Sequence, residues 1–191
     1  SVQMLKEKSD PAYLEQIERQ LDRLTYLEEA LLLLSRIDAG TLHLEKKKVD
    51  VHTLLVLAAD NLQELLVRAS VSVVIPEAGE TWILADLDWT MEAVINLLKN
   101  CMEHTPPGGR IYCTYEQNPL YTKIRIRDTG AGFSAEELPY LFRRFYRGKG
   151  SKGIGIGLSI AREIIERQNG VLAAENCAEK GACFEIRLYS H

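Results

Sequence analysis

Residues 148–159 read GKGSKGIGIGLS, with glycine at 148, 150, 153, 155 and 157 and an apolar segment following. Glycine costs backbone entropy, so this density belongs where the chain needs φ > 0 or must approach a ligand closely. Phosphate is the commonest ligand that wants a glycine loop running into a helix, because the free N–H groups and dipole of a helix N-terminus both favour an anion. Three designs compete. A P-loop needs GxxxxGK[ST] directly after a strand, whereas Gly148-Lys149 is followed by Gly150 and preceded by the basic, helical segment LFRRFYR (141–147). The dinucleotide pattern GxGxxG is formally present at Gly148, Gly150 and Gly153, but no buried strand leads into it. The third design is GxGxG at Gly153, Gly155 and Gly157, entering a helix over 156–168 at the end of a lid.

Around this loop the chain separates into two regions. In the first, Asp10 is placed as an N-cap and Pro11 as the first helical residue. Leu14, Ile17, Leu21, Leu24, Leu27, Leu31, Leu34 and Ile37 then recur at steps of three and four, and Gly40 is placed as a C-terminal stop. Such a seam suits a helical hairpin or coiled-coil partner, or else a helix packed on its own domain. The stretch ALLLL (30–34) is apolar nearly all round and is expected to be buried against more than one neighbour.

From Leu44 onward, strand and helix patterns alternate. LHLEKKKVDV (42–51) reads as an edge strand, 52–69 as a helix, and VSVVI (71–75) with WILAD (82–86) as a strand pair. LDWTMEAVINLLKNCMEH (87–104) is an amphipathic helix ended by Pro106, Pro107 and Gly108. RIYCTYEQ and TKIRIRD form a hairpin about Asn118-Pro119, SAEELPYLFRRF (134–145) a short helix, and GVLAAEN and ACFEIRL the closing strands, with Gly170 stopping the helix before them. Paired strands with segregated helices give an α/β fold of the two-layer sandwich type, a mainly antiparallel mixed sheet with helices on one face, preceded by the long helix.

Two further stretches decide among the glycine designs. DTGAGF (128–133) ends a strand with an acid and two glycines, and NLLKN (96–100) sets two asparagines four apart on one helix face. Together, and in this order along 44–188, the motifs resemble the ATP-binding domain of sensor histidine kinases, within the wider Bergerat-fold family that includes gyrase, Hsp90 and MutL. Asn96 to His104 resembles the N box, Asp128 to Gly132 the G1 box, Leu141 to Arg147 the F box and Gly153 to Gly157 the G2 box, with Gly181 to Phe184 as the last glycine-to-aromatic element. Residues 11–39 resemble the second helix of the dimerisation hairpin that precedes the domain in these kinases. The organisation implied is a hairpin remnant over 1–40 and a catalytic domain over 44–191, with a lid about 133–153.

The resemblance implies ATP and Mg²⁺ as cofactors. Asp128 would accept from the adenine amino group, since a carboxylate only accepts; Asp-Thr-Gly is also a common strand-end turn. Gly130 and Gly132 would let the backbone pass close to base and sugar. Asn100 would be the Mg²⁺ ligand, as Mg²⁺ prefers oxygen donors, and Asn96 would lie near the metal or phosphates. Gyrase-like ATPases carry a water-activating glutamate at the position of Asn96, so this site looks built to hold the γ-phosphate for another nucleophile. Gly153, Gly155, Gly157 and Leu158 would bring helix-terminal amides to the phosphates. Arg147 best matches the family position that reaches them, within a basic lid (Arg143, Arg144, Lys149, Lys152) that also reads as a solvated charge run. Phe142 and Phe145 would pack the lid against the hairpin or the sheet. His104 suits either a nucleotide contact or a helix C-terminus favoured by the dipole. Glu103, Ile154 and Ala182 depart from the usual residues, and Glu103 removes a cationic contact from that helix.

Partners implied are the histidine-bearing first hairpin helix, a response regulator receiver domain, and a second copy in a full-length homodimer. The alternatives are a serine kinase of the anti-sigma-factor type and a catalytically silent dimerisation or binding module. None of His43, His52, His104 and His191 is followed by an acidic residue or lies on a first hairpin helix, so the acceptor is expected to be absent from this chain. A net charge of −4 argues against a nucleic-acid surface. Four cysteines without a CxxC pair suggest reduced core thiols in a cytosolic compartment. No apolar run approaches the ~18 residues of a membrane span. The expectation is a cytoplasmic domain whose parent is anchored in the bacterial membrane from outside this sequence.

Overall fold

The computed structural model describes residues 11–77, 79–148, 151 and 153–190. The expectations for the segment before Pro11, including the Asp10 cap, and for Lys149, Gly150, Lys152 and His191 lie outside them. The chain divides into two compact units after Leu42.

The first unit holds helix α1, Pro11–Asp38. It ends as its sequence demands: Gly40 takes φ +67°, and its N–H and that of Thr41 donate to the carbonyls of Ile37 and Arg36. Ala30, Leu34 and Ile37 are buried, but Leu31 and Leu32 are 44% and 55% exposed, which corrects the expectation that 30–34 is buried throughout. At 100° per residue, Leu31 and Leu32 turn away from the row 30-34-37. Ile17, Leu21 and Leu24 are also exposed and leave an open apolar stripe.

The second unit is a two-layer sandwich. Its elements are β1 (Lys47–Asp50), α2 (Val51–Asn61), α3 (Gln63–Ala69), β2 (Ser72–Val74), β3 (Trp82–Ala85), α4 (Leu87–His104), β4 (Arg110–Gln117), β5 (Tyr121–Asp128), a 3₁₀ turn (Leu138–Tyr140), α5 (Gly157–Glu166), β6 (Gly170–Asn176) and β7 (Ala182–Tyr189). A five-stranded sheet runs β2-β4-β5-β7-β6, antiparallel except for the parallel β2–β4 pair, and β1 and β3 form a separate two-stranded sheet. Alternation fixes the register: Ile124 and Ile126 of β5 point inward with Ile111 and Cys113 of β4 and Phe184 and Ile186 of β7, beneath α4 and α5, while Arg125 and Arg127 lie on the other face.

Five local readings change. VSVVI and WILAD do not pair with each other: Ser72–Val74 joins β4 in parallel and Trp82–Ala85 joins β1 antiparallel. Neighbours in sequence pair only about two-thirds of the time, and here the two strands belong to different sheets. The helix over 52–69 breaks at Leu62, whose φ −101° and ψ 4° leave the α region. The edge strand shortens to Lys47–Asp50, because Asp50 turns its carboxylate to the Thr53 N–H and caps α2. The helix expected over 134–145 is reduced to the 3₁₀ turn, with Ser134 and Glu137 bonded reciprocally at its start. Asn169, at φ +62°, rather than Gly170, makes the left-handed turn after α5.

All four cysteines are free, and Cys101, Cys113 and Cys183 are buried. Burial pushes the Cys113 thiol up to about 12. Burial, followed by the neighbouring Asp128 charge, pushes Cys101 well up. Thiolate is the reactive form, so the folded chain is expected to alkylate at Cys177 alone, the half-exposed thiol. Counting modified thiols by mass before and after denaturation checks this; a second thiol reacting at the same rate in the folded chain refutes it.

Candidate functional site

The inward alternation of β5 does not stop at Ile126. It carries on to Asp128, which is 1% exposed at a position where the core pattern calls for an apolar side chain. Its Oδ1 accepts from the N–H groups of Gly130 (2.8 Å) and Ala182 (3.1 Å). Its Oδ2 is buried and has no hydrogen-bond partner among the described residues. A buried carboxylate oxygen without a donor is costly, which makes it a marker for an absent ligand group.

Helix α4 supplies a second such atom. Asp86 caps it, accepting from the Trp89 N–H and also from Glu45 N–H at 2.8 Å, while a buried network of Gln168 and Thr90 ties Asp86 to the end of α5. Asn96 and Asn100 then fall one turn apart on α4. Asn96 is 5% exposed. The Oδ1 of Asn100 is buried with no partner among the described residues. The helix ends at His104, whose half-exposed side chain lies beyond Asn100 in the same row of fours.

The glycines have separate reasons. A Cβ on Gly130 would collide with the His104 carbonyl, so this glycine lets the G1 turn close onto the end of α4. That is a constraint from the fold, beyond any approach to a base. Gly132 sits at φ +81° with the Asn176 side chain against it. Asn176, which the motif reading missed, bonds both the N–H and the carbonyl of Phe133 at 2.7 and 2.8 Å and pins the chain after β5. Only its place at the end of a strand hinted at this. Gly181 is at φ +100° with no room for a Cβ beside the Asp128 carbonyl.

In the glycine loop the three positions also differ. Gly155, at φ +85°, accepts at its carbonyl from the Phe145 N–H (2.8 Å), while a Cβ on Gly153 would meet nothing. Gly157 and Leu158 open α5, whose first turn has no side-chain cap, so its N–H groups are available to an anion. Arg147 donates to the Ser151 carbonyl at 3.0 Å and is turned onto its own loop. Arg143 stacks over Tyr140 and Arg144 pairs with Glu163. Phe142 packs edge-on to Phe184 at 6.4 Å, whereas Phe145 is 56% exposed, correcting the expectation that both rings pack inward.

The structure thus brings Asp128, Gly130, Gly132 and Gly181 together around one buried carboxylate, with the end of α4 closed onto it. Asp128 and Asn100 could receive a donor and a cation respectively, and the open end of α5 could receive phosphate.

Residues 85–190 match the model of the histidine kinase-, DNA gyrase B-, and HSP90-like ATPase family. The chain is 33% identical over 171 residues to the sensor protein SphS of Synechococcus elongatus, covering 82% of this chain and 41% of that protein, so it spans well under half of this relative's length. Among solved structures it superposes on the histidine kinase AdeS of Acinetobacter baumannii with a TM-score of 0.81 at 21% identity, over 95% of this chain and 86% of that one. It also superposes on the histidine kinase ThkA, solved in complex with the response regulator protein TrrA, with a TM-score of 0.73 at 22% identity, over 100% of this chain and 55% of that one. The fold and the matched model agree, and the chain belongs to the histidine kinase-, DNA gyrase B-, and HSP90-like ATPase family.

Proposed function

We propose that this chain binds Mg·ATP and is the ATP-binding part of a sensor kinase that passes the γ-phosphate to a histidine on a dimerisation helix, for relay to a receiver aspartate of a response regulator. The observation that carries this is the pair of buried oxygens, Asp128 Oδ2 and Asn100 Oδ1, that have no partner among the described residues. The donor set suits the group: a carboxylate oxygen for an exocyclic amine, and a neutral amide oxygen for a hard cation. Bound Mg·ATP supplies the phosphoryl group and the neutralisation of its charge. The chain's own residues orient it. Asp128 selects the base, Asn96 and Asn100 face the metal or phosphates, and the amides at Gly157 and Leu158 receive the phosphate chain. Arg147 would have to leave the Ser151 carbonyl to join them.

Asn96 is an amide and has no basicity to activate water, which favours transfer to another nucleophile over hydrolysis. The long helix α1 favours the histidine kinase over the serine-kinase alternative, and its open apolar stripe suits the partner helix and a second copy. No helix among the described residues is long and apolar enough to cross a membrane; we place the domain on the cytoplasmic side, with any membrane anchor of the parent elsewhere in its sequence. The response regulator that accompanies ThkA supports a receiver domain as partner.

Titration calorimetry tests the site. Wild type is expected to bind an ATP analogue more tightly with Mg²⁺ than without. Asn100→Ala should keep Mg²⁺-free ADP binding and lose most of the Mg²⁺-linked gain. An equal gain in both proteins removes Asn100 from the metal, and no nucleotide binding by wild type refutes the function.

A further inference from the structure

Glu92 lies one turn before Asn96, on the same row of α4 as Asn96, Asn100 and His104. It is outside every motif that marks this site. Its backbone carbonyl and its Oε1 both accept from one atom, Asn96 Nδ2, at 3.0 and 3.2 Å. An asparagine side chain has one donor end and one acceptor end. Two acceptors converging on the same end leave a single orientation, because a flipped amide would set an oxygen against a carbonyl and a carboxylate. Both amide protons of Asn96 are therefore used within the helix, and Oδ1 is the end left for anything outside it.

We infer that Glu92 is a positioning residue: it locks the Asn96 amide so that Oδ1, and not the NH₂ group, is presented on the face where Asn100 Oδ1 stands without a partner among the described residues. This rests on the proposed nucleotide site. Two neutral oxygens one turn apart suit a hydrated Mg²⁺ or its water shell, whereas an NH₂ at the first position would repel it. The carbonyl of Glu92 alone leaves the second amide proton unsatisfied. The carboxylate is what makes the orientation unique.

The lock can be tested apart from the site itself. Glu92→Met keeps the length of the side chain and removes its acceptor; Glu92→Gln keeps an acceptor oxygen and removes the charge. With the whole chain, affinities for an ATP analogue with Mg²⁺ and for ADP without it are compared by calorimetry, and the Asn96 side-chain amide is followed by ¹⁵N NMR. Glu92→Met is expected to lower the Mg²⁺-linked gain about three- to tenfold, the scale of one lost hydrogen bond, to shift the Asn96 Nδ2 signals, and to leave Mg²⁺-free ADP binding as in wild type. Glu92→Gln should retain both the gain and the signals.

An unchanged gain in Glu92→Met overturns the inference. So does a Glu92→Gln variant as impaired as Glu92→Met, because the charge rather than the acceptor would then matter. If Glu92→Met also loses ADP binding, Glu92→Asp is read instead: it keeps the charge but withdraws the oxygen by one methylene, and an intact gain there overturns the inference as well. Wild type without any Mg²⁺-linked gain would instead refute the site on which the inference rests.

Discussion

Asp128→Asn is expected to weaken ATP binding by roughly 10–150-fold while the domain stays folded. The direction follows from the two halves of the carboxylate. Oδ1 accepts from Gly130 N–H and Ala182 N–H, so the amide of the variant must place its oxygen there. Its NH₂ then takes the position of Oδ2, the buried atom with no partner among the described residues. A donor thus faces the adenine amino group, itself a donor. Losing a charged hydrogen bond costs about 1.5–3 kcal/mol, which is the quoted range of affinity. The two backbone bonds survive, so the thermal midpoint should not fall appreciably. Calorimetry with an ATP analogue, beside a thermal melt, checks both halves. Unchanged affinity would take adenine away from Asp128, and a collapsed melt would make Asp128 structural.

The largest effect on stability is expected from Phe184→Ala, about 3–5 kcal/mol. Phe184 is fully buried on β7, paired with Ile126 of β5 and Ala174 of β6. Its ring meets Phe133 edge-on at 5.7 Å and Phe142 at 6.4 Å. Phe133 and Phe142 both lie in the segment between β5 and α5, so one ring joins the sheet to that segment. Truncation leaves a cavity that two ring edges cannot fill without moving the segment between β5 and α5. Against a total stability of about 5–15 kcal/mol, that is a large share. Urea unfolding followed by the fluorescence of Trp82 and Trp89, both in the second unit, should show a lower midpoint with an unchanged slope. A loss below about 1 kcal/mol would mean that the ring does not anchor the segment between β5 and α5.

Much of this protein was legible in its sequence because the signals are local. The period of three and four in α1 and its Gly40 stop, the amphipathic pattern of 87–104, and the alternation of TKIRIRD each depend on residues within one element. The ordered motifs from Asn96 to Gly157 named the family, because each glycine or carboxylate there is tied to a backbone geometry or a ligand.

Other features are decided only when distant segments meet. Pairing of β2 with β4 and of β3 with β1 depends on which sheet edge each strand reaches, which no local pattern encodes. Gly130 and Gly181 look like turn glycines in sequence, but what forbids a Cβ there is the carbonyl of His104 and that of Asp128, 26 and 53 residues away. Asn176 and Gln168 read as ordinary polar residues, yet one pins Phe133 and the other holds Asp86 at the head of α4. The sequence by itself determined the elements and the chemical types at the site, because propensity, periodicity and side-chain chemistry act over a few residues. Only the tertiary structure decided that Asp128 Oδ2 and Asn100 Oδ1 are buried without partners among the described residues, because burial and hydrogen-bond satisfaction belong to the packed chain.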